Sequence, residues 1–161
     1  IIINLVGYID NKSYENYSYN SLIASLKINT IIPNLIIREN LKYMKRQNWG
    51  RILNCSTVGV KYGGGEYSFN YNLSKHCLEF IPGKFKNWAE KNILINNLRI
   101  GHAKTKIHDR MKKILKGKSR IKLIPMKRMI TVKEVCEYIY FYSTNLNSYV
   151  TGETISISGG E

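Results

Sequence analysis

Short apolar strand segments alternate with helical segments along most of the chain, and this alternation restricts the fold more than any other feature. The strand-like segments are residues 1–5, "RILNCS", "ILINNLRI" and "TISIS"; the helical ones are residues 21–47, the segment after Tyr71 and the segment after Thr131. Thr131 and Glu134 form a capping box ahead of the last helix. This βαβαβαβ order predicts an α/β protein with a doubly wound, mostly parallel sheet and helices on both faces. Its ligand should lie beyond the carboxyl ends of the strands.

Composition and charge limit the class of protein. The chain of 161 residues suits one domain, and 43% apolar residues exclude a disordered tail. The 25 basic and 11 acidic residues give a net charge of +14, but no nucleic-acid-binding motif accompanies it, so no nucleic acid partner is expected. No apolar run reaches the ~18 residues that span a bilayer, so no membrane is expected. Cys55, Cys77 and Cys136 lack the spacing of a disulfide framework or a metal site, which favours a cytoplasmic protein without metal.

Four polar side chains follow one of these strands and predict a site. "RILNCST" places Ser56 and Thr57 just past a carboxyl end, and a glycine-rich turn leads to a helix with Tyr71 and Lys75 at i, i+4. An ammonium one turn away is expected to lower the pKa of a phenol from about 10, while a neighbouring hydroxyl orients a carbonyl. Spacing alone leaves open both a proton-transfer pair and an unrelated surface pair.

Seven segments in the same order resemble the short-chain dehydrogenase/reductase superfamily. They are "IIINLVG" for its NNAG strand, "LKINT" for its VN element, "WGRILNCST" for GRIVNISS, "YNLSK" for YxxxK, "NILINNLRIGHAKT" for NIRVNAVxPGxxxT, "IPMKRMITVKEVCEYIYFYST" for RxxxPEEVAxxVxFLxS, and "SYVTGETISISGG" for YxTGQxxxVDGG. The resemblance covers nearly the whole chain. It implies one partial Rossmann-like domain over residues 1–161 and an NAD(P)-dependent enzyme that interconverts an alcohol and a carbonyl.

The resemblance implies a role for each catalytic position. Tyr71 would exchange a proton with the substrate oxygen, and Lys75 would bind the nicotinamide ribose and lower the pKa of Tyr71. Asn29 would hold, through its backbone carbonyl, a water linked to Lys75; its alternative is a helix kink assisted by Pro33. The hydroxyl that polarises the substrate carbonyl falls on Thr57 when the strand is aligned without a gap, whereas the glycine three residues later favours Ser56. Thr57 is the preferred choice.

The same resemblance implies the cofactor contacts. The expected cofactor is NAD or NADP, and the residues that would contact it, besides Tyr71 and Lys75, are Asn4, Gly7, Gly101, Ala103 and Thr105. Ile100 replaces the proline of the family's PG turn. The family's TGxxxGxG turn for the pyrophosphate is absent, which leads us to expect roughly 80 residues ahead of Ile1, at ~30 residues per βαβ unit.

The remaining expectations concern partners. Nine Lys and Arg residues lie between residues 110 and 128, inside a region of about 104–128 that would form the substrate lid. A basic lid favours a small-molecule substrate that is anionic, such as a nucleotide sugar, an acyl carrier thioester or a phosphorylated alcohol; a solvated lysine-rich surface is the alternative. The family packs its long helices between subunits, which implies a homodimer or homotetramer. The alternative function is a noncatalytic binding or assembly protein.

Overall fold

A four-stranded parallel sheet forms the centre of the computed structural model, which describes residues 1–105 and 120–161. The strands β1 (Ile2–Asn4), β2 (Gly50–Thr57), β3 (Ile93–Ile100) and β4 (Thr154–Ile157) lie side by side in chain order. Parallel neighbours must be joined by crossovers, and the helical segments between the strands supply them. The expected parallel α/β sheet is confirmed. Most of the predicted lid, residues 106–119, lies outside the described residues, and with it most of the basic cluster.

Helices cover both faces of the sheet. The helices are α1 (Tyr19–Leu26), α2 (Ile32–Gln47), α3 (Phe69–Leu78), α4 (Phe85–Ala89) and α5 (Val132–Ser143), with 3₁₀ turns at Val58–Tyr62 and Arg120–Leu123. On one face Ile52 and Ile95 pack against Ile37 of α2 and Trp88 of α4. On the other face, strand side chains pack against α5. Because successive strand residues point to opposite faces, the continuous apolar runs of β2 and β3 fill both cores.

The capping box at the start of α5 forms as the sequence predicts. Thr131 Oγ1 accepts from the Glu134 N–H at 3.2 Å, and Glu134 Oε2 accepts from the Thr131 N–H at 2.8 Å. The helix that carries Tyr71 ends at Leu78, and Pro82 lies in the loop after it. A helix that stops four residues before a proline needs no distortion to accommodate the missing N–H.

The predicted long helix is continuous but contains one wider turn. Lys27–Ile31 is π-helical, and the Ile32 N–H bonds the Lys27 carbonyl five residues earlier. Pro33 follows this turn and has no N–H to donate to the Asn29 carbonyl four residues before it. Among the described residues, Tyr19–Gln47 is the helix that is long and apolar enough to cross a membrane; this is weak evidence, since core helices meet the same criterion.

A row of asparagine side chains crosses the sheet. Asn4, Asn54 and Asn97 are in register on β1, β2 and β3. The Asn4 amide donates to Asn54 Oδ1 at 2.8 Å, and the Asn54 amide donates to Asn97 Oδ1 at 3.1 Å. The same row reaches the end of α3, because Asn54 Nδ2 donates to the Leu78 carbonyl at 3.4 Å and Asn97 Nδ2 to the Glu79 carbonyl at 2.7 Å. These bonds tie the helix that carries Tyr71 and Lys75 to three strands.

We expect Asn54→Leu to lower the free energy of unfolding by about 3 kcal/mol, because it leaves buried donors and acceptors on both neighbouring strands unpaired. Asn40→Leu is the control, since Asn40 is exposed on α2 and bonds only its own helix; its effect should stay within about 0.5 kcal/mol. Urea unfolding measures both. A loss below about 1 kcal/mol for Asn54→Leu would contradict a stabilising row.

Candidate active site

A cavity of about 420 Å³ opens beyond the carboxyl ends of β2 and β3, where the sequence predicts the ligand. Eight of the predicted site residues line it: Gly7, Ser56, Thr57, Tyr71, Lys75, Gly101, Ala103 and Thr105. These residues come from four separate parts of the chain. The carboxyl ends of parallel strands lie at the same edge of the sheet, which brings the residues together. Asn4 and Asn29 are not among the lining residues. Both are buried behind the cavity, in the asparagine row and under α3.

Lys75 is buried in the sheet end of this cavity and bonds both the loop after β1 and strand β2. Its side chain is 2% exposed, and Nζ donates to the carbonyls of Val6 and Cys55, each at 2.8 Å. Burial lowers the pKa of Lys75 to about 8, while the nearby Cys55 thiol acts in the opposite direction. An ammonium has three N–H donors, so two carbonyls leave one donor for a ligand.

Tyr71 lies one turn before Lys75 on α3, and its ring stands beside Gly7. A Cβ added to Gly7 would lie 3.6 Å from the Tyr71 ring and 3.8 Å from its hydroxyl, so the chain after β1 passes close to the phenol. Burial raises the pKa of Tyr71 to about 12, and Cys55 adds to the rise. The prediction that Lys75 lowers the pKa of Tyr71 is therefore wrong. Desolvation is the main cause of the rise, and the ammonium of Lys75 is directed at backbone carbonyls.

The two candidate hydroxyls differ in their surroundings. Thr57 Oγ1 accepts from the Gly59 N–H at 3.3 Å and caps the 3₁₀ turn that follows β2. Accepting this bond leaves the hydroxyl proton of Thr57 free to donate. Ser56 Oγ is buried and has no hydrogen-bond partner among the described residues. Because Ser56 lines the same cavity as Thr57, a group that enters the cavity can meet either hydroxyl, and both stay candidates.

Asn29 joins the loop after β1 to the helix pair. Its Oδ1 accepts from the Tyr8 N–H at 2.7 Å, and its Nδ2 donates to the Tyr8 carbonyl and to Ser74 Oγ, each at 2.8 Å. The side chain thus orients the loop that carries Gly7 and the helix that carries Tyr71. Both expectations for Asn29 remain compatible with the structure: it lies in the π-helical turn before Pro33, and π turns of this kind are frequent at functional sites.

The sequence patterns missed part of the cavity wall. The missed residues include Cys55, Val58, Gly59, Gly64, Ser68 and Asn72 around the glycine-rich turn, and Val132, Val135, Cys136 and Ile139 on α5. The glycine-rich turn was a usable signal for the first group. The apolar α5 residues carry no such signal, because an apolar helix face serves a core equally well. Burial raises the pKa of the Cys55 thiol to about 11, with Lys75 opposing.

A larger depression of about 900 Å³ lies between α5 and β4, and of the predicted site residues only Gly101 lines it. It therefore lacks the proton-transfer candidates. In the described ranges 1–105 and 120–161, no three His, Cys, Asp or Glu side chains come together at a metal-binding distance.

This arrangement defines a Rossmann-type α/β protein with a tyrosine and a lysine at the carboxyl edge of its sheet. A family model described as enoyl-(acyl carrier protein) reductase matches residues 1–161. The chain belongs to the short-chain dehydrogenase/reductase family, as the resemblance indicated.

Named relatives agree with this assignment. The chain is 31% identical to the 3-oxoacyl-[acyl-carrier-protein] reductase FabG of Aquifex aeolicus over 99% of its own length and 64% of that protein's, and 27% identical to the acetoacetyl-CoA reductase of an Acinetobacter species over the same shares. It thus spans somewhat less than two thirds of these relatives.

Solved structures share the fold. YwfH, an NADPH-dependent reductase involved in bacilysin biosynthesis, is 23% identical, with a TM-score of 0.88 over 98% of this chain and 65% of that one. A 3-oxoacyl (acyl-carrier-protein) reductase from Agrobacterium tumefaciens with NADP bound is 21% identical, with a TM-score of 0.85 over 99% of this chain and 63% of that one.

The buried ammonium gives a pH prediction. Lys75 has a lowered pKa, near 8 in the folded chain against 10.5 ordinarily, so between these values the unfolded chain binds more protons and the free energy of unfolding should rise with pH. The charged ammonium weakens the fold below pH 8, and the penalty disappears above 10.5. Urea unfolding of the wild type and Lys75→Met at pH 7.5, 9 and 10.5 measures the effect. The free energy of unfolding of the wild type should rise with pH relative to that of Lys75→Met. The same pH dependence in both proteins would contradict the lowered pKa of Lys75.

Proposed function

We propose that this chain carries the catalytic side of an NAD(P)-dependent oxidoreductase that interconverts an alcohol and a carbonyl. One observation supports this most directly: Tyr71, Lys75 and Thr57 line the same cavity as residues 101–103 after β3. Three groups with different chemistry, a phenol, an ammonium and a hydroxyl, thus surround one space where a substrate oxygen can sit.

The cavity fits a nicotinamide cofactor at its sheet end. Lys75 retains one N–H for a ribose hydroxyl, and Gly7 presents backbone without a side chain beside Tyr71. Gly101, Ala103 and Thr105 would contact the nicotinamide side, with Asn4 acting behind Gly7. When bound, the cofactor supplies or accepts the hydride. NAD and NADP remain alternatives, since the residues that distinguish them are not among those assigned.

The protein groups then act on the substrate oxygen. In the reducing direction, the carbonyl carbon receives a hydride and its oxygen takes the proton of Tyr71 Oη, which yields the alcohol. The Thr57 hydroxyl donates a hydrogen bond to the same oxygen and stabilises its developing negative charge. The phenol is protonated at neutral pH even at its ordinary pKa of about 10, and burial raises the pKa of Tyr71 further, so Tyr71 carries the proton that reduction requires.

The substrate class we propose is an acyl thioester on an anionic carrier. The net charge of +14 and the basic cluster around Lys112, Lys113 and Lys116 favour an anionic substrate. Relatives named for acyl carrier protein and coenzyme A reductases favour the thioester over a sugar or a phosphorylated alcohol.

A second copy of the chain is the partner we propose. Apolar side chains remain exposed on the outer face of the long helix: Ile23, Ile31, Ile32, Leu35 and Ile36 are 39–49% exposed. A face of this kind is suited to pairing with its equivalent across a twofold axis, which gives a homodimer or, with a further interface, a homotetramer.

Tyr71→Phe in the full-length protein should lower kcat by about 10²- to 10⁴-fold, the contribution of a general acid. Calorimetric titration with NADH and NADPH should find cofactor binding retained, since the ring remains. Tyr140→Phe is the control, because Tyr140 is exposed on α5 and lines neither depression. Undiminished turnover in Tyr71→Phe would overturn the proton-transfer role. Failure of the wild type to bind either dinucleotide would favour a noncatalytic binding or assembly protein.

Thr57→Val should lower kcat/KM by about 10²-fold, because removal of one donor to a developing oxyanion has this effect. Thr57→Ser keeps the hydroxyl and should retain most of the activity. Ser56→Ala tests whether Ser56 supplies this hydroxyl instead, and its loss of kcat/KM should be smaller than that of Thr57→Val. A larger loss in Ser56→Ala would transfer the role to Ser56.

A further inference from the structure

The carboxamide of Asn72 is enclosed between two glycines of the cavity wall. Asn72 directly follows Tyr71 on α3 and is 6% exposed. A Cβ built on Gly59 would overlap Asn72 Oδ1, and one built on Gly64 would overlap Asn72 Nδ2. All three atoms nearest to the position of a Gly59 Cβ belong to Asn72. The two glycines therefore leave room for one particular side chain and contact it from two directions.

Hydrogen bonds hold this carboxamide in place. Asn72 Nδ2 donates to the Ser68 carbonyl at 2.7 Å and to Ser68 Oγ at 3.0 Å. Ser68 Oγ also accepts from the Gly65 N–H at 2.8 Å, and the Gly64 N–H bonds the Gly59 carbonyl at 2.9 Å. Residues 58–68, called here the glycine loop, are thus closed on themselves and against the first turn of α3.

The glycine loop connects Asn72 to the proposed chemistry. Five of its residues, Val58, Gly59, Gly64, Gly65 and Ser68, line the cavity with Asn72 itself. Gly59 also donates the N–H that Thr57 Oγ1 accepts. The Asn72 carboxamide therefore contacts Gly59, the residue that orients the Thr57 hydroxyl, and Asn72 is joined to Tyr71 by a peptide bond.

We propose that Asn72 is a positioning residue that sets the separation between the Tyr71 phenol and the Thr57 hydroxyl by fixing the glycine loop over the cavity. This inference rests on the proposed function for its catalytic consequence. The contacts of Asn72 with Gly59, Gly64 and Ser68, called here the clamp, do not depend on that function. Alanine at this position would leave the loop unsupported, and leucine would offer no donor to Ser68.

A double-mutant cycle tests the clamp through stability, without a measurement of activity. Gly59→Ala should lower Tm in the wild type, because the new Cβ displaces the carboxamide from Ser68. In an Asn72→Ala background the clash is absent, so the same substitution should leave Tm unchanged or raise it, since alanine reduces the conformational freedom of the unfolded chain. Gly59 suits this test because its φ lies outside the left-handed region, unlike Gly64 at +86°. An equal fall in Tm in both backgrounds would overturn the clamp.

Kinetics of the full-length protein test the positioning. Asn72→Ala should lower kcat/KM by on the order of 10²-fold, the cost of a misplacement near 1 Å, while calorimetric binding of NADH or NADPH stays at the wild-type level. Asn40→Ala is the matched control, because Asn40 Nδ2 also donates to a carbonyl four residues earlier, at 2.8 Å, but at an exposed position on α2. Its kinetics should equal those of the wild type.

The possible results distinguish the positioning role of Asn72 from the proposed function of the protein. A fall in Tm with unchanged kcat and KM in Asn72→Ala would mean that the residue is merely structural and would overturn the positioning role. Absence of turnover in the wild type would overturn the proposed function, and the positioning role with it. The cycle between positions 59 and 72 would still decide the clamp.

Discussion

The row of hydrogen-bonded asparagines across the parallel strands is the constraint on which the rest of the site depends. Apolar packing alone leaves a helix free to shift along a sheet, since dispersion contacts have little directional preference. Here Asn54 and Asn97 donate to the last carbonyls of α3, and Arg99 forms a two-bond ion pair with Glu79 at 2.6 and 2.8 Å. Buried polar groups must be satisfied, so these bonds select one position of α3 and hence one position of Tyr71 and Lys75.

The buried ammonium of Lys75 is a second constraint on the position of α3, at the sheet end of the cavity. Burying a cation is costly unless it is hydrogen-bonded, and the carbonyls of Val6 and Cys55 provide that compensation. The same bonds draw the loop after β1 and the end of β2 toward α3. Burial of the neighbouring phenol raises the pKa of Tyr71, while the ammonium of Lys75 fixes two of the chain segments that form the cavity.

Local patterns predicted the elements better than their fine geometry. The apolar runs of β2 and β3, the capping box at Thr131 and the gathering of Thr57, Tyr71 and Lys75 at one edge all follow from periodicity and from the common direction of parallel strands. The π-helical turn at Lys27–Ile31 carried only an indirect signal, Pro33. Asn72 carried none, since an asparagine beside a glycine-rich turn is ordinary until the two are seen in contact.

The sequence by itself determined the order of strands and helices and the family, because hydrophobic periodicity and short motifs are properties of neighbouring residues. It also placed the phenol and the ammonium on one helix face. Only the tertiary structure decided their electrostatics: the direction of the Tyr71 pKa shift depends on how much water is excluded and on which acceptors the ammonium meets. Those partners, Val6 and Cys55, lie 69 and 20 residues from Lys75 in the chain. Contacts over such separations form only when the whole sheet assembles, which is why local spacing predicted the wrong direction.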